Sequence, residues 1–224
     1  MHAARWRTRV ALTMAAIAVT TAATATTTTA APARASASQV DASQVDATNG
    51  SAFTSAQLAG VDYAIWQRDV AAALGQARPY IEQRTASASG EKLAVVLDID
   101  NTSLETDFHY FWEYPTPAVR PVLDLARYAD SRGVAVFFVT ARPGILHAPT
   151  AYNLNAAGYP VDGLYVRDLP DLFDEVSAYK TAKRGEIEAK GYTIIANIGN
   201  RPTDLVGGHA EKTFKLPDYD GKLS

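Results

Sequence analysis

The sequence predicts an α/β protein, a three-layer sandwich around a mainly parallel sheet. A small helical segment precedes it, and it carries a short cap or flap. Four short apolar runs, residues 93–97, 134–139, 163–166 and 192–198, read as strands. Helical stretches separate them, and strands alternating with helices build a parallel sheet. The first two runs, Leu-Ala-Val-Val-Leu and Val-Ala-Val-Phe-Phe-Val, are apolar at every position. Strands buried on both faces read that way, although periodicity alone also fits a buried helix.

Residues 1–37 have the build of a secretory signal peptide. Arg5, Arg7 and Arg9 form a positive start, a short apolar stretch follows, and small residues at 33–37 offer cleavage sites. The apolar stretch is too short and too rich in Thr for a membrane span. Residues 38–54 contain the pentad Ser-Gln-Val-Asp-Ala twice in tandem, which buries nothing and reads as a flexible leader. The remaining residues, 55–224, suffice for one domain. Removing residues 1–37 takes four of the 21 basic side chains and none of the 24 acids, leaving 17 against 24, a net of −7. So acidic a chain, with no basic stripe, argues against nucleic acid as a backbone-bound partner. Cysteine is absent, so folding rests on core burial without disulfides.

Leu58, Val61, Ile65, Ala73, Leu74, Ala77 and Ile81 fall at helical spacing and predict a buried face, with Pro79 ending one helix or starting another. Residues 87–91 form the loop into the first strand. That strand runs into Asp98-Ile99-Asp100-Asn101-Thr102. Two carboxylates one residue apart at a strand end can project to the same side, and ligands bind at the carboxyl ends of such strands. A carboxylate there is a candidate nucleophile towards phosphorus; its other common uses are to cap a helix or hold a turn. Phe108, Tyr110, Phe111, Trp112 and Tyr114 then crowd a short segment. They fit a flap that excludes water, and equally a satellite cluster under a loop. His109 and His147 read as packing or surface residues.

Thr116 and Pro117 predict the N-cap and first residue of the next helix, which Gly133 closes. The second strand ends in Thr140-Ala141-Arg142-Pro143, where a hydroxyl beside backbone N–H groups can donate to a phosphate oxygen. Arg142 can clamp phosphate or neutralise the acids. A helix over 150–157 leads to the third strand. Residues 179–190 read as a charged helix, and the fourth strand ends in Gly199-Asn200-Arg201-Pro202-Thr203-Asp204.

Taken together, LDIDNTSL, FFVTARP, YKTAKRGEI and GNRPTDL resemble, in order, the four motifs of the haloacid dehalogenase superfamily of phosphatases. Within it the chain is similar to the subfamily IIIB secreted acid phosphatases, a group that includes the plant vegetative storage proteins. WQRDVAAAL, ARPYIEQR and GGHAEKTFKLPD extend the likeness over roughly residues 61–217. The resemblance implies a Rossmann-like sheet and Mg²⁺-dependent hydrolysis of small phosphate monoesters outside the cell. It implies Asp98 as nucleophile, Asp100 as general acid and base, and Thr140 and Lys180 as partners of the phosphoryl oxygens, with Lys183 as the fallback lysine. Thr102, Thr140, Arg142 and Lys180 form the implied substrate-binding set. Asp98, Asp100, Asn200 and Asp204 form the implied metal set. The family pattern has Asp where Asn200 stands, which removes one negative charge from a site that needs hard oxygen donors. A storage or binding protein on the same scaffold, and a phosphotransferase, are the alternative functions.

Overall fold

A computed structural model describes residues 53–224. The expected signal peptide and nearly all of the leader lie outside the described residues. The chain runs α1 (Ser55–Leu58), α2 (Tyr63–Ala73), α3 (Ala77–Ala86), β1 (Lys92–Leu97), α4 (Arg120–Ser131), β2 (Ala135–Pro143), α5 (His147–Ala157), β3 (Gly163–Arg167), α6 (Val176–Ala189), β4 (Tyr192–Gly199), α7 (Pro202–Leu205) and β5 (Thr213–Lys215). The strands form one sheet in the order β3-β2-β1-β4-β5, and every pairing is parallel. The expectation of a mainly parallel α/β sheet holds. The fifth strand was not foreseen: at three residues it is too short to show a period.

β1 lies at the centre because its residues alternate between two apolar layers. Leu93, Val95 and Leu97 face a core shared with Trp66, Val70, Ile81, Leu123 and Ala126 from α2, α3 and α4. Ala94 and Val96 face Tyr179 and Ile187 of α6. Both faces are therefore covered, which is why the run shows no polar alternation. On α4, Val122, Leu123, Leu125, Ala126 and Ala129 are buried; each Val or Leu so buried contributes about 1.5–3 kcal/mol. Gly133, at φ +79°, supplies the left-handed residue that ends this helix.

Two local expectations need correction. The helix expected from Thr116-Pro117 begins at Arg120, with Pro121 in its first turn. Residues 117–119 are instead extended against the segment after β1: the Glu105 N–H donates to the Pro117 carbonyl (3.0 Å) and the Val119 N–H to that of Ser103 (3.0 Å). Thr116 exchanges hydrogen bonds with the Asn153 amide at 2.9 and 2.8 Å. Leu58 and Ile65, expected in the core, are exposed, whereas Trp66 on the adjoining face is fully buried. Of the two readings of Pro79, the start of a helix holds: it lies in the first turn of α3, where its missing N–H costs nothing.

Residues 105–119 form the flap, which contains only a short 3-10 turn, Thr106–Phe108, and is tied by a bridge from Leu104 to Ala118. Of the two uses the sequence allowed, the satellite cluster is met by Phe108. Phe108 stacks on Trp66 at 4.2 Å and joins the core, while Phe111, Trp112 and Tyr114 are exposed.

Candidate active site

β1 ends one residue before Asp98, whose N–H still donates to the Ile198 carbonyl of β4. The next residues turn tightly, with Ser103 and Leu104 both donating to the Ile99 carbonyl and Asn101 at φ +53°. Asp98 and Asp100 leave this turn on the same side, and both line a cleft of about 420 Å³. Ala141, Val176, Lys180, Arg201, Thr203, Asp204 and Ser224 complete its walls. A larger cleft of about 640 Å³ lies by Tyr63, Glu105, Phe108 and His109, outside this cluster of acids.

Lys180 is the hub. It sits one turn into α6 and is 3% exposed. Its Nζ donates to Asp98 Oδ1 at 2.5 Å and to Asp204 Oδ1 at 2.6 Å. Lys183 points elsewhere and pairs with Asp171 and Glu186. Asp204 is held from two sides, since its Oδ2 accepts the Arg201 N–H at 2.8 Å. Its close approach to β4 requires Gly199: a Cβ there would lie 2.4 Å from the Asp204 Cβ.

Arg142, at the end of β2, grips Asp100. Nη2 donates to Oδ1 at 2.6 Å and Nε to Oδ2 at 3.1 Å, a two-point fork of the kind that makes such pairs strong. Thr106 adds a hydroxyl at 2.8 Å. Thr140 is fully buried, and its hydroxyl accepts the Arg142 N–H at 3.2 Å. Thr102 is also fully buried and donates to Asn200 Oδ1 at 3.3 Å. Asn200 donates in turn to the main-chain oxygen of Ser224 at 2.8 Å. Thr102, Thr140 and Asn200 therefore support the cleft from behind, whereas Asp98, Asp100, Lys180 and Asp204 form its wall.

Three acids (Asp98, Asp100, Asp204) face two cations (Lys180, Arg142), which leaves one uncompensated negative charge in a buried place. The titration follows from that excess. Burial, with the neighbouring charges of Asp204 and Asp100, pushes the Asp98 carboxyl up to about 7 against the pull of Lys180. For Asp100, burial raises the carboxyl but is outweighed by the hydrogen bonds and charge of Arg142, which hold it below its ordinary range. Burial lowers Lys180, and Asp98 and Asp204 more than reverse this, so it stays charged.

The upward shift of Asp98 marks a cluster short of positive charge. Among the described residues no group of three His, Cys, Asp or Glu side chains is arranged to hold a metal ion. Mg²⁺ does not require one: it keeps several waters and binds through one or two carboxylates. The converging oxygens of Asp98 and Asp204, in a cluster one positive charge short, fit that ion.

Several residues at the site had not been singled out from sequence. Arg184 is 1% exposed and donates to the carbonyls of Asp204 (2.9 Å), Gly208 (2.9 Å) and Val206, which clamps the loop after α7. Its position four residues after Lys180 places both on one helix face, and that spacing was the available signal. Asp107, Arg201, Thr203 and Ser224 carried no local pattern that could have marked them.

A model of the HAD superfamily, subfamily IIIB (acid phosphatase), matches residues 14–222. The stem 28 kDa glycoprotein of Glycine max is 35% identical over 106 residues, covering 46% of this chain and 42% of that protein. Acid phosphatase 1 of Solanum lycopersicum is 30% identical over 104 residues, covering 46% and 41%. Vegetative storage protein 1 of Arabidopsis thaliana is 26% identical over 143 residues, covering 55% and 53%. The chain thus spans less than half the length of the first of these relatives. Among solved structures, the class C acid phosphatase from Bacillus anthracis superposes with a TM-score of 0.56 at 17% identity, covering 70% of this chain and 80% of that one. At that identity the likeness concerns the fold alone. The family match runs through the segments that carry Asp98, Thr140, Lys180 and Asp204, and the chain belongs to the HAD superfamily, subfamily IIIB, the acid phosphatases.

Proposed function

We propose that this chain is a secreted, Mg²⁺-dependent acid phosphatase that hydrolyses small phosphate monoesters through an aspartyl-phosphate on Asp98. The observation that carries this reading is the convergence of Asp98, Asp204 and Lys180 beside Asp100 at the carboxyl edge of the sheet. Mg²⁺ held by the Asp98 and Asp204 carboxylates and the Asp100 main-chain carbonyl would supply positive charge against the nucleophile and the phosphoryl oxygens.

The chain's own residues divide the remaining work. An Asp98 oxygen attacks phosphorus, and the bond from phosphorus to the ester oxygen breaks. Asp100 gives its proton to that leaving oxygen. It then takes a proton from the water that attacks phosphorus and frees Asp98. Lys180, charged and fixed, neutralises phosphoryl oxygens without reorganising. Arg142, Thr140 and Thr102 orient the phosphate, Arg142 directly and the two buried threonines through the loops they support. Positioning and charge compensation are what phosphoryl transfer chiefly needs.

The resting protonation pattern runs opposite to this sequence, since Asp98 must be ionised and Asp100 protonated. Cation binding lowers the Asp98 carboxyl. A substrate phosphate that draws Arg142 away raises that of Asp100. Both changes would accompany ligand binding. Acid pH assists the second change, in keeping with an acid optimum.

Turnover of p-nitrophenyl phosphate across pH, with Mg²⁺ and with EDTA, tests this reading. We expect an acid optimum, loss with EDTA and recovery with added Mg²⁺. No turnover at saturating metal would favour storage or binding, the reading that the vegetative storage protein relative and Asn200 support. Export is tested by N-terminal sequencing of the protein recovered outside the cell, which should begin near residue 38 with residues 55–224 as the folded domain.

A further inference from the structure

Asn200 is the position at which this chain departs from the acid expected in the fourth motif, and its surroundings give that departure a cause. After β5 the chain turns back over the carboxyl edge of the sheet. Leu216 and Leu223 are fully buried. The Leu216 N–H donates to the Gly199 carbonyl at 2.9 Å, and Arg201 Nη1 donates to that of Leu223 at 3.0 Å. Ser224 then enters the cleft wall. Its N–H donates to Asp107 Oδ2 at 2.7 Å and its hydroxyl to Asp107 Oδ1 at 3.1 Å. Its main-chain oxygen accepts from Asn101 Nδ2 at 3.0 Å and from Asn200 Nδ2 at 2.8 Å. Asn101 and Asp107 are joined by two further bonds of 2.8 and 3.0 Å.

Asn200 uses both ends of its amide. Nδ2 holds the strap formed by residues 216–224, and Oδ1 takes the Thr102 hydroxyl of the nucleophile turn at 3.3 Å. The amide offers one donor and one acceptor in these directions, and an ionised carboxylate of the same shape offers no donor. A carboxylate could still accept from Thr102, but its other oxygen would face the Ser224 oxygen, acceptor against acceptor, from a side chain that is itself fully buried.

We propose that Asn200 is a positioning residue that latches the strap onto the nucleophile turn, and that its amide is a requirement of this closure. The residue bridges the two segments the chemistry depends on, residues 98–107 and 199–204. The charge absent from position 200 is thus exchanged for a fixed geometry around Asp98 and Asp100. The catalytic part of this inference rests on the phosphatase reading; the latch itself does not.

The test compares Asn200→Asp and Asn200→Ala with the parent protein. In the metal-free protein, hydrogen exchange at the amides of Asp107, Leu216, Leu223 and Ser224 should accelerate about tenfold in both variants, as the loss of a buried hydrogen bond implies. Calorimetry should show Mg²⁺ binding no tighter in Asn200→Asp. With p-nitrophenyl phosphate, Asn200→Ala should lower kcat while KM changes little. Unchanged exchange in both variants, or tighter Mg²⁺ binding in Asn200→Asp with protection intact, would overturn the latch and place residue 200 on the metal. Faster exchange with an unaltered kcat would overturn the positioning role. Should Asn200→Asp fail to fold, Asn200→Ala, which adds no charge, decides the matter. Absence of turnover in the parent protein would remove the phosphatase reading, while the exchange result would still decide the latch.

Discussion

Asp98→Asn keeps the size of the nucleophile and deletes its charge, so turnover should vanish while the circular dichroism spectrum stays unchanged. Retained activity would remove Asp98 from the centre of the chemistry. Asp100→Asn should slow alkyl phosphates far more than p-nitrophenyl phosphate, whose leaving oxygen scarcely needs a proton; equal losses would contradict its role as the acid. Arg142 adds a signed prediction. It holds the Asp100 carboxyl low, so Arg142→Ala should let that carboxyl rise and carry its proton to higher pH. The alkaline limb of the kcat/KM profile, which reports the free enzyme, should then move upward, even as the loss of a phosphate partner raises KM. A limb that stays in place would mean that the Arg142–Asp100 pair does not govern the acid.

At the scale of elements, each acid is placed by the end of a strand or by a loop clamped to one. Gly199→Ala should push Asp204 aside, because no rotation of a side chain relieves a contact between two Cβ atoms. Overpacking of this kind costs about 1–3 kcal/mol, and Mg²⁺ binding should weaken with it, as calorimetry would show. Arg184→Leu would remove a charged donor from the carbonyls of Asp204, Val206 and Gly208; Asp204 would keep the Asn197 amide and Val206 the Thr181 hydroxyl. Its cost should be about 2–3 kcal/mol in denaturant unfolding. These two residues mark the limit of what the sequence makes legible. The strands leading to Asp98 and Thr140 are uninterrupted apolar runs, and their ends stand out as abrupt changes to polar residues. Gly199, Arg184, Asp107 and Ser224 act through contacts between distant segments, and no local period records such a contact. The start of α4 was misplaced for a related reason: Pro117 and Pro121 offer the same local signal, and only the pairing of residues 117–119 with residues 103–105 decides between them.

Over the whole molecule, alkaline pH should be the less forgiving direction. Burial raises Tyr159, while burial and Glu211 push Tyr80 up to about 12 and burial and Asp69 do the same for Tyr219. Groups raised in the folded state stabilise it fully below their unfolded value near 10, and that contribution is lost as pH climbs through their folded values. The melting temperature should therefore fall steeply between about pH 10 and 12. Tyr159→Phe should lose about 1 kcal/mol at neutral pH, since the hydroxyl bond to the Ser103 carbonyl goes, and should show a shallower alkaline decline. The strand order carries a consequence in time. β1 is made early, yet its partner β4 begins about 100 residues later, with Lys92 paired to Tyr192. On a ribosome adding 5–20 residues each second, that interval lasts roughly 5–20 s. Throughout it, the most apolar strand of the protein has one open edge, and its nucleophile has neither Lys180 nor Asp204 beside it. A chain stopped in this window is chemically silent and prone to pair with its neighbours, so a nascent chain of this protein is a natural client for a chaperone until β4 has been made.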